Sequence, residues 1–409
     1  MSGEQPLSES LLKYKYLVLG AGPAGLTLAN RLLQLGKTDF LVLEKEKEPG
    51  GLCRSADVDE SPLDIGGGHF LDVRNKRVCD FLFGFMPKDE WDLYTRDSRI
   101  EINGYEINSP IEANIWQMPP ADQEAYLKSI GEAGCNTGAP MPDKFIDWIY
   151  WKLGVRIAED YMLPYNQKMF RDDLDLLGTY WLSKLPNVSY EETLISCRDK
   201  KAYGTQPGHA QFYYPKKHGY GEVWKRMGSN LRERLICGEK VQSIDYLTKT
   251  VNGRYKTDKI ISTIPWTDIT EHVNMPDEIK TAVASLKHST IVVNYRPEDA
   301  GTDAQWVYCP DPSLSYHRKL VRSNFCPGSR GYWTETNLTR FSENDHKGEY
   351  YFINEYAYPI NTIGKPEEMK RILSWASSMG VEGLGRWGEW QHYNSDVVVD
   401  LALTMAESL

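Results

Sequence analysis

A glycine-rich turn near the start of the sequence has the residue types and spacing of a dinucleotide site. The apolar run YLVL at residues 16–19 leads into GAGPAG at residues 20–25, a helical segment follows, and a second apolar run at residues 40–43 ends at Glu44. Glycines at these positions permit a tight turn, close approach of a pyrophosphate and close packing of helix on strand. Free N–H groups at the helix start attract phosphate, and a carboxylate such as Glu44 can accept a hydrogen bond from ribose.

Two later glycine clusters favour FAD as the dinucleotide. A polar stretch after Glu44 leads to Gly50-Gly51 and then Arg54, and a strand-like entry leads to Gly66-Gly67-Gly68-His69. Paired glycines let a loop pass close to cofactor phosphates, and the second cluster has the composition of a loop beside an isoalloxazine ring. The alternative is a pair of ordinary surface turns. Near the C-terminus, Asp396 is predicted to cap a helix whose N-terminus could face the flavin.

The pattern of elements predicts an α/β fold with a discontinuous Rossmann-like FAD-binding domain, a helical insertion domain and an antiparallel β-sheet substrate domain. We assign residues 13–80, 208–265 and 384–409 to the FAD-binding domain, residues 81–207 to the helical domain and residues 266–383 to the substrate domain. Apolar residues at helical spacing over 145–162 mark the helical part. Alternating runs over 288–358 mark the sheet, and a strand over 241–246 is expected near the adenine.

Composition restricts the partners. The 409 residues carry a formal net charge of −10, which argues against nonspecific binding of nucleic acid. The seven cysteines are scattered without a CxxC pair, which suggests reduced thiols and gives no metal site. The first fifteen residues are polar, and no apolar run has the length of a membrane span. We therefore expect a cytoplasmic protein with no membrane span, no metal and no nucleic-acid partner. The sequence does not decide between a monomer and a homo-oligomer.

Several blocks, in the same order, resemble the UDP-galactopyranose mutases, chiefly those of the eukaryotic type. The resemblance covers most of the chain. The blocks are PKDEW at 87–91, DWI at 147–149, PYNQK at 164–168, FYYP at 212–215, GYG at 219–221, WVYCP at 306–310, YHR at 316–318, SNF at 323–325, YP at 358–359 and GRWG at 385–388.

The resemblance implies an FAD-dependent mutase that interconverts the pyranose and furanose forms of a nucleotide-linked sugar. In that family a reduced flavin forms a covalent adduct with the sugar through its N5 atom, without net redox change. A nucleotide sugar would then be the substrate, NADPH or NADH could reduce the flavin, and a role in cell-surface polysaccharide biosynthesis would follow.

The resemblance also implies residue roles. Arg318, Tyr308 and Tyr358 match diphosphate-binding residues, and Trp306 matches an aromatic residue near the sugar. His69 lies one position out of register with a flavin-facing histidine. His392 and Asn166 complete the expected substrate contacts. The residues expected to contact FAD are Gly20, Gly22, Pro23, Ala24, Gly25, Glu44, Lys45, Gly51, Leu52, Gly67, Gly68, His69, Val241, Gly385, Arg386, Asp396 and Val397.

Three departures from the family fall on the nucleotide side. Leu163 stands where the family has a second diphosphate-binding arginine, and Arg156 or Lys168 could compensate. The segment 109–111 has no aromatic residue for the base, and His392 stands where the family has a tyrosine. Two other functions therefore remain open: an FAD-dependent oxidoreductase of the amine-oxidase or protoporphyrinogen-oxidase type, and a flavin-binding protein without catalysis.

Overall fold

The computed structural model describes residues 11–182, 185–204 and 210–409. The chain forms two compact units, each assembled from separate segments. The first unit comprises Met1–Arg54, Val223–Leu286 and Pro366–Leu409, and the second comprises Ser55–Glu222 and Lys287–Lys365.

The elements are numbered in chain order. The strands are β1 Leu12–Leu19, β2 Phe40–Glu44, β3 Ser55–Val58, β4 Ser61–Asp64, β5 Leu71–Asp72, β6 Trp91–Thr95, β7 Ser98–Ile102, β8 Tyr105–Asn108, β9 Gln211–Pro215, β10 Leu235–Cys237, β11 Ser243–Asp245, β12 Thr250–Val251, β13 Tyr255–Ser262, β14 Glu271–Val273, β15 His288–Arg296, β16 Trp306–Tyr308, β17 Arg318–Leu320, β18 Tyr332–Asn337, β19 Tyr351–Pro359 and β20 Val381–Gly383. The helices are α1 Pro23–Gln34, α2 Lys76–Phe83, α3 Pro120–Gly131, α4 Gly134–Thr137, α5 Phe145–Ile157, α6 Leu163–Phe170, α7 Tyr190–Asp199, α8 Gly221–Leu231, α9 Asp277–Ala284, α10 Lys365–Ser378, α11 Gly385–Gly388 and α12 Ser395–Ser408.

The first unit is built on a mixed sheet in the order β10-β2-β1-β13-β12-β11-β14, with β20 also paired to β13. β1 runs parallel to both β2 and β13, which is the pairing of a Rossmann-like sheet. β1 and β2 are almost fully buried where they pair, which explains their continuous apolar sequence. α1 begins at Pro23, whose fixed φ suits the first helical position.

The second unit is built on a sheet in the order β19-β15-β18-β17-β16-β7-β8. Its pairs are antiparallel except for the parallel pair β16 and β7. Ile100 and Ile107 from β7 and β8 share a hydrophobic core with Tyr126 of α3 and Phe145 and Ile149 of α5. Helices and sheet of this unit therefore bury their apolar faces against each other.

The structure groups several segments differently from the sequence-based domains. β14 and β20, assigned to the substrate domain, pair with β11 and β13 in the sheet of the first unit. β7 and β8, assigned to the helical domain, pair within the sheet of the second unit. The expected boundary at 207–208 lies outside the described residues. The division into three domains therefore stays a prediction.

Two element predictions need correction. The helix expected over 145–162 is kinked at Gly154, which has a φ of 74°, and continues through a π-helical turn at Ala158–Met162. A side chain at Gly154 would lie 2.3 Å from the carbonyl oxygen of Ser129, so this close approach requires glycine. The strand expected over 241–246 is shorter and spans only β11. No described helix is long and apolar enough to cross a membrane, and the cytoplasmic location stays a prediction.

Candidate functional site

The first glycine turn forms a cradle at the end of β1. A Cβ atom built on Gly25 would lie 1.9 Å from the carbonyl oxygen of Gly20, so α1 packs against the turn only because position 25 is glycine. Gly22 is the N-cap of α1, and within the described residues no side chain caps this helix. The N–H groups of Ala24 and Gly25 precede the first intrahelical bond, from the N–H of Leu26 to the carbonyl oxygen of Gly22, and this is the arrangement that binds pyrophosphate.

The second glycine pair lies against the first turn. The N–H of Gly50 donates to the carbonyl oxygen of Ala21 at 2.8 Å, and a Cβ on Gly51 would lie 3.1 Å from the Cα of Gly22. Leu52 follows in a 3₁₀ turn, Gly51–Cys53. A side chain at position 51 would crowd Gly22, so glycine at this position lets bare backbone lie beside the turn.

Glu44 ends β2 and points back at the turn. Its carboxylate accepts hydrogen bonds from the N–H groups of Ala21 at 2.7 Å and Glu46 at 2.9 Å. Burial raises the pKa of the Glu44 carboxyl, and the two N–H donors oppose this rise. Each carboxylate oxygen can accept more than one hydrogen bond, so Glu44 keeps capacity for a ribose hydroxyl.

The C-terminal segment of the first unit also reaches the glycine turn. A Cβ on Gly385 would lie 2.8 Å from the Cβ of Ala24, and Gly385 has a φ of 76°. Arg386 donates to the carbonyl oxygen of Tyr393. The structure thus brings this segment to the cradle, and contact of Gly385 and Arg386 with FAD stays a prediction.

Other residues expected to contact FAD lie in different places. α12 is capped at Asn394, so Asp396 is in the first turn of the helix and is not the N-cap; Val397 follows it. Lys45 forms an ion pair with Asp268 at 2.8 Å. Val241 is buried just before β11. His392, which was expected to contact substrate, lies between α11 and α12.

In the second unit, four of the residues expected near the substrate, Trp306, Tyr308, Arg318 and Tyr358, come together at one face of the sheet. Tyr308 lies directly opposite Arg318, and Arg318 lies directly opposite Glu335. Directly opposite residues in antiparallel strands project from the same face. Trp306, two residues before Tyr308, shares this face because side chains alternate along a strand. We call Glu335, Arg318 and Tyr308 on this face the row. Tyr358 of β19 also reaches the row, since its hydroxyl accepts a hydrogen bond from Arg318 Nη2 at 3.2 Å.

Glu335 is a site residue that the sequence analysis missed. Its side chain is 1% exposed, and its Oε2 atom accepts a hydrogen bond from Arg318 Nη2 at 2.5 Å. Burial raises the pKa of Glu335, but the charge of Arg318 and the contacts of His317 outweigh it and lower the pKa to about 2. Glu335 therefore carries a buried negative charge that holds Arg318 in place.

Glu335 also supports the third glycine cluster. The N–H of Gly68 lies 3.4 Å from Glu335 Oε1, and a Cβ on Gly67 would lie 2.8 Å from the same oxygen. A Cβ on Gly68 would lie 2.2 Å from Leu320 Cδ2. Side chains at these positions would displace Glu335 or Leu320, and Gly67 has a φ of 93°, a backbone conformation that favours glycine. His69 turns back toward it, with Nδ1 3.0 Å from the carbonyl oxygen of Gly67.

Helix α6 covers part of the same row. The ring of Tyr165 contacts the rings of Tyr308 and His317, with centroids 5.6 and 5.7 Å apart. Asn166, by contrast, donates its side-chain amide to the carbonyl oxygen of Met162 in its own helix at 2.7 Å. Within the PYNQK block at 164–168, Tyr165 is thus the residue that contacts Tyr308 and His317. Contact of Asn166 with substrate stays a prediction.

Arg96, between β6 and β7, is a second residue that the sequence analysis missed. Its Nη2 atom donates to the hydroxyl oxygen of Tyr308 at 2.8 Å, and its guanidinium carbon lies 4.7 Å from the ring centre of Trp306. No local motif marks this arginine for the site, because Tyr308 and Trp306 lie more than 200 residues away in sequence.

Comparisons with known proteins identify the fold. Residues 18–83 match the family model of an NAD(P)-binding Rossmann-like domain. The chain is 33% identical over 108 residues to an uncharacterized protein of the nifH2 3' region of Methanothermococcus thermolithotrophicus, which covers 97% of that protein and 25% of this chain. It is 34% identical over 82 residues to UDP-galactopyranose mutase of Mycoplasma pneumoniae (strain ATCC 29342 / M129 / Subtype 1). The aligned segment covers 19% of this chain and only 20% of that enzyme.

Solved structures match nearly the whole chain. Reduced UDP-galactopyranose mutase superposes with a TM-score of 0.87 at 22% identity, covering 97% of this chain and 94% of that one. A candidate protoporphyrinogen oxidase from Exiguobacterium sp. 255-15 gives 0.69 at 13% identity, covering 98% of both chains. A putrescine oxidase variant gives 0.62 at 12% identity, covering 97% of this chain and 99% of that one. The chain therefore belongs to the same family as the uncharacterized Methanothermococcus protein and has the fold of UDP-galactopyranose mutase.

Proposed function

We propose that this protein is an FAD-dependent mutase that interconverts the pyranose and furanose forms of a nucleotide-linked sugar. The observation that carries the proposal is the row Glu335, Arg318 and Tyr308 on one sheet face, joined by Tyr358. A buried guanidinium flanked by two phenol groups is suited to a diphosphate, because it offers charge and several hydrogen-bond donors together.

The first unit fits FAD. Gly20, Gly22 and Gly25 keep backbone N–H groups accessible at the start of α1, and Glu44 keeps acceptor capacity for ribose. When bound and reduced, the flavin would supply a nucleophilic nitrogen, which no side chain of the row provides. Reduction by NADPH or NADH belongs to the same proposal.

Arg318 would bind the diphosphate and stabilise it as a leaving group. Its Nε atom is buried and has no hydrogen-bond partner among the described residues, so this donor is available to substrate. Because Arg318 donates to the hydroxyl oxygen of Tyr358, the hydroxyl hydrogen of Tyr358 can point elsewhere. As the bond from the anomeric carbon to the diphosphate breaks, the departing oxygen keeps the electron pair, and these donors stabilise the added negative charge.

The alternative is an FAD-dependent oxidoreductase. The fold is shared with putrescine oxidase, so fold alone does not select the reaction. The row favours the mutase, because an oxidase acting on a cationic amine or on an uncharged group has no need of a largely buried arginine that binds an anion.

The experiment is to load the purified protein with FAD, reduce it with dithionite and supply UDP-hexoses, with chromatography to detect a ring isomer. Arg318→Ala should lower kcat/KM by about 100-fold or more while flavin content stays unchanged. Lys319→Gln is the matched control, because Lys319 is on the same strand but faces Glu101 on the other side. No isomer with any nucleotide hexose, together with oxygen consumption on addition of an amine, would refute the mutase and favour the oxidoreductase.

A further inference from the structure

The position of the missing second arginine is apolar in this protein. Leu163 packs against the hydrophobic core of the second unit. Neither candidate for compensation faces the row. Arg156 forms an ion pair with Asp160 at 3.0 Å and lies over the ring of Tyr126. Lys168 is buried and donates to the carbonyl oxygens of Cys309 and Tyr316, so its charge holds a loop in place.

Arg318 alone does not give the row a net positive charge. It is paired with the buried carboxylate of Glu335, and the two charges largely cancel. The diphosphate of a nucleotide carries at least two negative charges. A site that takes this group out of water therefore needs another cation close to the first.

Arg96 has the position of such a cation. It donates to Tyr308, and Tyr308 lies directly opposite Arg318 on the neighbouring strand. The side chains of directly opposite residues start about 5 Å apart. Arg96 also lies over Trp306, whose ring fixes the plane of the guanidinium. The two arginines therefore flank one tyrosine on the same sheet face.

The hydrogen-bond directions repeat in the two arginine–tyrosine pairs. Arg96 donates to the hydroxyl oxygen of Tyr308, as Arg318 donates to the hydroxyl oxygen of Tyr358. A phenol that accepts a hydrogen bond from an arginine still has its own hydrogen to donate. Each arginine thus turns a tyrosine into a donor for an anion. Tyr165, buried against Tyr308, reduces the local dielectric and strengthens these interactions.

We propose that Arg96 is the second diphosphate-binding cation of this protein and takes the place of the arginine missing at position 163. The inference rests on the proposed function, since it concerns the anionic group of the same substrate. Arg96 would contact the phosphate oxygens directly, on the side of Tyr308 away from Arg318. The ligand class is a nucleoside diphosphate or a sugar linked to one.

The test is calorimetric titration of the full-length, FAD-loaded protein with UDP and, separately, with inorganic pyrophosphate. Arg96→Ala should weaken binding of both probes by about 10- to 100-fold, the usual loss for a charge-assisted hydrogen bond to phosphate. Arg96→Gln should lose as much, because it can still bond Tyr308 but has no charge. Arg96→Lys should keep part of the affinity. Arg99→Ala is the matched control, because Arg99 is paired with Val307 and therefore lies on the face of the sheet opposite to Trp306 and Tyr308.

The outcomes separate the inference from the mutase proposal. If Arg96→Ala binds both probes as tightly as wild type while Arg318→Ala does not, Arg96 is not a phosphate ligand and the mutase proposal stands. Wild-type affinity in Arg96→Gln would also overturn the inference, since charge would then be irrelevant. If the wild-type protein binds neither probe, both fall together. Should Arg96→Ala unfold, the comparison of Arg96→Lys with Arg96→Gln decides.

Discussion

Replacing Glu335 with glutamine removes the negative charge opposite Arg318 but keeps the shape of the side chain. The charged atoms are 2.5 Å apart, and both side chains are largely buried. At an effective dielectric constant of about 20, the attraction is on the order of 7 kcal/mol. Desolvation of the two groups offsets much of this, and breaking a buried pair from one side typically costs about 3–5 kcal/mol. We therefore expect Glu335→Gln to lower the free energy of unfolding by about 3–5 kcal/mol.

A double-mutant cycle measures the pair itself. Urea unfolding is followed by tryptophan fluorescence for wild type, Glu335→Gln, Arg318→Met and the double variant. The double variant should be more stable than the sum of the single losses predicts, with a coupling energy of about 2–3 kcal/mol, because neither charge is then left buried alone. Asp80→Asn is the control: it breaks the exposed pair with Lys76 and should cost less than about 1 kcal/mol. Additive losses at Arg318 and Glu335 would refute the reasoning.

Three further predictions concern single side chains. Gly25→Ala should abolish FAD loading, measured as flavin absorbance per chain, because its Cβ would lie 1.9 Å from the Gly20 oxygen. Burial raises the pKa of Asp64 to about 7, so the folded state binds a proton that the unfolded state has lost. Relative to Asp64→Asn, the wild type should therefore lose up to roughly 4 kcal/mol of stability as pH rises from about 4 to 7. Gly154→Ala should cost about 3 kcal/mol or more in urea unfolding, since φ is 74° and the Cβ would meet the Ser129 oxygen.

The controls separate steric contact from backbone conformation. Gly138 has a φ of 83° and no atom within 4 Å of an added Cβ, so Gly138→Ala isolates the conformational part of the Gly154 effect. Full flavin loading of Gly25→Ala would show that the close approach is not needed. A stability difference at Asp64 that stays flat across this pH range would mean that Ser55 and Tyr214 keep the carboxyl ionised through their hydrogen bonds.

The features that depend on residues close together in sequence could be predicted from the sequence. The glycine spacing before α1 and the carboxylate at Glu44 act over one turn and two adjacent strands, so their pattern is visible locally. The runs at β15, β18 and β19 also predicted strands correctly, although β15 and β18 are buried on nearly all consecutive residues and only β19 has exposed residues between buried ones.

The contacts between residues far apart in sequence could not be predicted. Glu335 sits in an alternating strand that indicates which residues share a face, but not that Arg318 lies opposite. That register depends on pairing between distant strands. Arg96 meets Tyr308 across 212 residues of sequence. The kink at Gly154 was also missed, since a glycine in an apolar helical pattern gives no sign of the carbonyl group packed beside it.

The segmented first unit has a consequence for how the chain folds during synthesis. β1 and its glycine turn leave the ribosome early, but one of the two strands flanking β1 is β13. The hydroxyl of Tyr16 donates to the carbonyl oxygen of Leu409, 393 residues away. Gly385, which lies beside Ala24, is also synthesised long after it. β1 and its glycine turn must therefore wait for partners that are synthesised up to 393 residues later, and the unpaired edge of β1 can aggregate until then.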